Sequence, residues 1–214
     1  MYKHKFKLEN IPVYFFKDDI PNDFNIPEIN ILSIDTEATG LDLNREKLCM
    51  IQIMINKNMI ILVQFKPDIY KAQRVKKILQ NNHLKLFHFA RFDIFMIEKY
   101  LKIKLKNIAC TRVSSKLARG YTEKHGLNNI TKHFLNKELN KKEQSSDWFG
   151  DLNEQQLYYA AYDVVYLPDL YESLRKILIR DKKMKIAKNI FKILTYMPLI
   201  ERNSYDPMYL LNHH

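Results

Sequence analysis

Three short apolar runs, NILSID, LCMIQIMI and MIILVQF, follow one another between residues 30 and 65. Their lengths and β-rich character suit buried strands. Asn56, Lys57 and Asn58 supply turn residues between the last two, and short connections between consecutive strands imply an antiparallel portion of sheet. The pattern then changes to helical spacing. Lys71 to Gln80 repeats Val75, Ile78 and Leu79 on one side, and Phe92 to Leu101 carries an apolar stripe. Short strands are expected at Lys85 to His88 and Asn107 to Ala109, and helices at Val113 to Arg119 and Leu127 to Phe134. A long helix is predicted from Glu154 to about Ile179. Asn153 is its N-cap with Gln156 in the reciprocal position, and Pro168 interrupts it near Tyr166 or Leu167. Strands first and helices afterwards give an α/β mixed sheet flanked by helices.

The first run ends in acid. Asp35 and Glu37 stand two apart in IDTEATGL, so a strand presents both carboxylates on one face. Asp-x-Glu alone is common surface charge, but here it closes an apolar run, and Thr36, Thr39 and Gly40 form a tight exit. Asp93 lies at a helix start, where a carboxylate also suits the helix dipole. Asp163 follows Tyr159 by four residues, one helical turn away on the same face. Tyr159 reads either as a core aromatic or as a hydroxyl that orients a reacting water. Carboxylates from three segments, converging on one cleft, make an oxygen cage for a pair of hard divalent cations, which fits phosphodiester hydrolysis.

These segments together resemble the DEDD superfamily of 3′-5′ exonucleases, and Tyr159 four before Asp163 resembles its RNase D-like branch. Among relatives, FHFARFD, GYTEKHGL (Gly120 to Leu127) and KKEQSSDW read like the small bacterial nanoRNase C group. The superfamily commonly has Asn after the histidine of the second motif; Phe89 stands there, as in that group. The resemblance covers Ile31 to Ile179 well. It implies a ribonuclease H-like mixed sheet, antiparallel in its first strands and then parallel, with a helix-rich C-terminal half. It also implies that Asp35, Glu37, Asp93 and Asp163 ligate two divalent cations, Mg²⁺ with Mn²⁺ as substitute. Tyr159 would join them as a catalytic group. Leu41 would wedge beside the terminal base, and Thr36, His88, Gln144, Ser146 and Trp148 would line the substrate cleft. His88 reads equally as a strand-end histidine, and Trp148 equally as core.

The expected activity is 3′-5′ exoribonuclease hydrolysis of dinucleotides and other short single-stranded RNA to nucleoside 5′-monophosphates. Trimming of longer RNA or tRNA ends, and a non-cutting nucleic-acid-binding fold, are the rivals. A net charge of +11 supports a polyanionic partner, although lysines are spread along the whole chain. Residues 1–180 are expected to form the exonuclease domain and 181–214 a helical extension packing on the core or a neighbouring subunit, with no HRDC domain. The resemblance implies a ring-like homo-oligomer such as an octamer. No run approaches the roughly 18 apolar residues of a membrane span, and no secretion signal is read at the start. Cys49 and Cys110, far apart in apolar segments, are expected to be buried free thiols of a cytoplasmic protein.

Overall fold

The computed structural model describes residues 4–139, 146–203 and 205–211. Its centre is one mixed seven-stranded sheet. In chain order the strands are β1 (His4–Leu8), β2 (Ile11–Lys17), β3 (Ile31–Ala38), β4 (Leu48–Ile55), β5 (Met59–Gln64), β6 (Leu84–Phe87) and β7 (Ile108–Cys110). Across the sheet they run β1-β2-β5-β4-β3-β6-β7. The expected antiparallel portion is β3, β4 and β5, and β6 and β7 then continue parallel to β3.

Two strands precede those predicted. β1 and β2 form a hairpin whose two loop residues, Glu9 and Asn10, both take left-handed backbone, as a two-residue hairpin turn requires. β2 then lies parallel to β5, so the sheet also has a parallel pair on its far side. Asn56 at the β4–β5 turn accepts through Oδ1 from the backbone N–H groups of Asn30 and Ile31, tying the turn to the start of β3.

The helices are α1 (Gln73–Gln80), α2 (Ala90–Leu101), α3 (Thr111–Ala118), α4 (Leu127–Leu135), α5 (Glu154–Val165), α6 (Leu167–Arg180), α7 (Met184–Leu194), α8 (Met197–Arg202) and α9 (Pro207–Leu211). All eight residues of β4 are buried, because helices cover both faces of the sheet. Ile51, Ile53 and Ile55 share one core with residues of α1, α2 and α7, while Met50 and Met54 share a second core with residues of α5 and α6. This is strand alternation with a core on each side.

The predicted helix over 154–179 divides at Tyr166 into α5 and α6, with Pro168 in the first turn of α6. Its lost N–H costs nothing there, since first-turn donors have no partner in any case. Asn153 and Gln156 form a reciprocal capping box. At the other end of the chain, Ala187, Phe191 and Leu194 of α7 enter the core, whereas Leu199 of α8 stays exposed. Two ion pairs hold α8 on α2: Arg91 with Glu201, and Arg202 Nη2 with Glu98 at 2.8 Å. Cys49 and Cys110 are buried free thiols. Among the described residues, no helix is long and apolar enough to cross a membrane.

Lys85 is wholly buried on β6. Its ammonium donates to the carbonyls of Asn81 at 2.6 Å, His83 at 3.0 Å and Lys106 at 3.2 Å. Burial pulls its pKa down to about 8. Lys85→Met should therefore cost about 3 kcal/mol, because the carbonyls stay buried without a donor. Urea unfolding measures this; an unchanged midpoint would show that the carbonyls find other partners.

Candidate active site

β3 sits between β4 and β6, and α5 crosses β3, β4 and β5 on one face. Asp35 and Glu37 point toward α5, since the strand alternates and the core residues Leu32 and Ile34 point the other way. A register shift between Glu37 and Ala38 ends the regular pairing with β4 just past the acids. From the opposite side, α5 brings in Asp163. Asp35, Glu37 and Asp163 each offer a carboxylate oxygen, and these oxygens all lie within 4.8 Å of one another.

Asp93 arrives from the other face of the sheet, on the first turn of α2. It is buried, and Thr36 Oγ1, which alternates away from Asp35 and Glu37, donates to Asp93 Oδ1 at 2.6 Å. The hydroxyl of Thr36 is thus engaged with an acid of the site. Tyr159 donates its hydroxyl to Asp163 one helical turn along α5.

Electrostatics single out the same four acids. Burial, then the charges of Asp93, Asp163 and Glu37, push Asp35 well above the carboxylate range. Burial, Asp163 and Asp93 do the same to Glu37. Burial raises Asp93 to about 7 against the hydrogen bond from Thr36. Burial also raises Asp163 to about 7, against the bond from Tyr159. Among the described residues no ion pair joins any of the four to a Lys or Arg. Asp93 is buried and Asp35, Glu37 and Asp163 are half-buried; acids so placed without a cationic partner are unstable as a charged set, and all their donors are oxygen. That donor set fits divalent Mg²⁺ or Mn²⁺ and offers nothing to softer metals. Asp35, Glu37 and Asp163 would hold an ion, and Asp93 lies outside that group of three but close enough for its charge to act on Asp35 and Glu37.

The remaining predicted residues fall differently. Leu41 is 81% exposed just past β3, free to meet a ligand. Gly40 is packed against Glu46, where any Cβ would lie 2.8 Å from the carboxylate carbon, so its backbone approaches its own loop. His88 follows β6, and its Nδ1 lies 2.8 Å from Thr111 Oγ1. Thr111 spends its proton on the carbonyl of Phe87, so His88 Nδ1 is the donor and Nε2 is a bare acceptor. Burial and Arg112 lower the pKa of His88 to about 3, which keeps the ring neutral. Trp148 is buried in the core beside α5, its ring 6.0 Å from that of Tyr159. Ser146 is partly buried close by, and Gln144 lies outside the described residues.

One polar residue of the site was passed over in the sequence. Gln52 pairs with Asp35 across β3 and β4, is fully buried, and donates Nε2 to Glu37 Oε1 at 3.3 Å. An amide within the apolar run LCMIQIMI was the available signal.

A 3′-5′ exonuclease family model matches residues 23–179. The solved structure of Brucella melitensis NrnC superposes with a TM-score of 0.88 at 33% identity, covering 94% of this chain and 98% of that one. That protein has also been solved with bound Mg²⁺ and bound to pGG. Ribonuclease D of Bartonella henselae is 27% identical over 83% of this chain. DNA polymerase I of Aquifex aeolicus is 31% identical over 69% of it. The chain spans 42% of that ribonuclease D and 24% of that polymerase. With the acids of Asp35, Glu37, Asp93 and Asp163 and the hydroxyl of Tyr159 gathered at one sheet end, this chain belongs to the 3′-5′ exonuclease family, in the RNase D-like branch that includes NrnC.

Proposed function

We propose that the protein is a 3′-5′ exoribonuclease that hydrolyses dinucleotides and other very short RNA to nucleoside 5′-monophosphates. The observation that carries this reading is the meeting of Asp35, Glu37 and Asp163 within 4.8 Å, with no Lys or Arg among the described residues paired to them. The likeness to NrnC, which has been solved bound to pGG, supports a short substrate. Residues 1–180 then form the catalytic domain and 181–214 a helical extension of it.

Two divalent ions, when bound, supply charge neutralisation at the scissile phosphate and lower the pKa of the attacking water. The chain's own residues do the rest. Asp35, Glu37 and Asp163 fix the ligand geometry, and Gln52 restrains the Glu37 carboxylate. Thr36 holds Asp93 in place from the opposite face. Tyr159 acts as a neutral hydroxyl: burial and the charges of Asp163, Glu37 and Asp35 all push its ionisation upward. It therefore orients an oxygen by hydrogen bonding and does not serve as a phenolate base. Leu41 meets the terminal base. Water delivers hydroxide to phosphorus, and its proton balance is completed when the departing 3′ oxygen of the upstream nucleotide is protonated.

A homo-oligomeric ring, such as an octamer, is part of the proposal. Ile186 and Ile193, two turns apart on α7, and Tyr196 and Leu199 beyond it are each at least half exposed, an apolar strip suited to a second copy of the chain. Buried free cysteines agree with work in the cytoplasm.

The test is a time course with Mg²⁺ on 5′-phosphorylated RNAs of about two, three, seven and twenty nucleotides, a range spanning dinucleotides to ordinary single strands. Asp35→Ala protein is the control. The dinucleotide should disappear first and the longer chains lag. Equal or faster trimming of the longest RNA would move the assignment to general RNA processing, and no metal-dependent cleavage would end the enzymatic reading.

A further inference from the structure

Phe89 is the large apolar residue of the second motif that the fold leaves outside its core. It follows β6 directly, its backbone is left-handed with φ 68°, and its side chain is 45% exposed. A bulky residue rarely adopts that backbone, and the exposed ring offsets the strain with no full burial. An isolated exposed Phe would by itself mean little. This one has company. The guanidinium of Arg112 lies over the ring at 4.6 Å from its centroid. Arg112 makes no ion pair with a carboxylate among the described residues, and its charge acts on the neighbouring His88.

Topology sets the pair at the mouth of the site. β3, β6 and β7 are parallel neighbours, so their C-terminal ends share one edge of the sheet, where ligands of open α/β sheets gather. Asp35 and Glu37 are on β3, His88 and Phe89 follow β6, and Thr111 and Arg112 follow β7. The bond that Thr111 donates to the Phe87 carbonyl and the one it accepts from His88 hold the last two ends together. Asp93 lies one helical turn beyond Phe89. Leu41, 81% exposed past the end of β3, is the other apolar side chain at this edge.

We infer that Phe89, backed by Arg112, is a stacking platform for a nucleobase of the substrate, forming with Leu41 the second apolar surface of the cleft. An aromatic face accepts any base, so the platform contributes affinity without reading sequence. The guanidinium beneath holds the ring in plane and adds positive charge where a phosphodiester must pass. The inference rests on the exonuclease reading for its substrate, but not for its binding measurement.

Two readouts test it. The first is steady-state cleavage of pGpG and of an analogue lacking one base, by wild type, Phe89→Ala and Phe89→Trp. Phe89→Ala should raise KM for pGpG by about tenfold or more with kcat little changed, and Phe89→Trp should recover most of the loss. On the analogue that lacks the stacked base, wild type and Phe89→Ala should be alike. The second is quenching of a 2-aminopurine dinucleotide, which reports stacking directly and needs no turnover. Quenching by wild type but not by Phe89→Ala supports the platform even if nothing is cleaved, and in that case the hydrolytic reading alone fails. An equal KM for Phe89→Ala and wild type on pGpG would overturn the inference. So would the same penalty on the analogue that lacks the stacked base, or an altered oligomer with unchanged quenching.

Discussion

Asp35→Asn protein should fold normally and lose about a thousandfold or more in its rate on a 5′-phosphorylated dinucleotide at saturating Mg²⁺. The substitution keeps the shape of the side chain and removes one charge from the centre of the acidic group. Asp35 is the carboxylate whose ionisation the other three all oppose. It is also one of the three whose oxygens lie within 4.8 Å of each other, so its loss opens the cage instead of trimming its rim. Asp163→Asn should behave alike. Tyr159→Phe should fall less, by about a hundredfold, because a neutral hydroxyl orients a group without neutralising charge. Initial rates, with circular dichroism to verify folding, decide the matter. An Asp35→Asn enzyme retaining a tenth of wild-type rate would mean that the chemistry is centred elsewhere.

The acids that make this ranking possible were legible in the sequence because each depends on local geometry. Asp35 and Glu37 share a face through the period of a strand, and Tyr159 and Asp163 through one helical turn. The break at Pro168 and the cap at Asn153 are equally local, and both occur where the residues demand. What escaped was non-local or chemically disguised. The β1–β2 hairpin turns on Glu9-Asn10, a pair without the glycine that usually marks such turns. The parallel pairing of β2 with β5 joins segments about fifty residues apart, and nothing within either strand announces it. Gln52 hides in an apolar run, and only the cross-strand register with Asp35 gives it a task. Thr36 is similar. Alternation along β3 turns its hydroxyl toward Asp93, a partner that only the packing of α2 supplies.

The metal-free protein should lose stability as pH rises from about 5 to 8, and Mg²⁺ should restore it at the upper end. The sign follows from the site. In the unfolded chain the acids ionise near ordinary carboxylate values, whereas in the folded protein Asp93 and Asp163 hold their protons to about 7, with Asp35 and Glu37 also raised. Between those limits the folded state binds more protons than the unfolded one, so unfolding free energy declines with rising pH. For buried Asp93, moving from 3.8 to about 7 corresponds to a ceiling on the order of 4 kcal/mol. For a chain of this size that is roughly 10 °C in melting temperature. Divalent cations bind the ionised acids of the folded state, so added Mg²⁺ should raise the melting temperature more at pH 8 than at pH 5.5, where protons compete for the same oxygens. Asp93→Asn should flatten the metal-free slope and melt above wild type at pH 8 without metal, while binding Mg²⁺ more weakly. Thermal melts across this range, with chelator and with Mg²⁺, test both halves. A metal-free protein that grows more stable toward pH 8 would mean that the four acids are not the mutually repelling set described, and the case for a cation cage would fall with them.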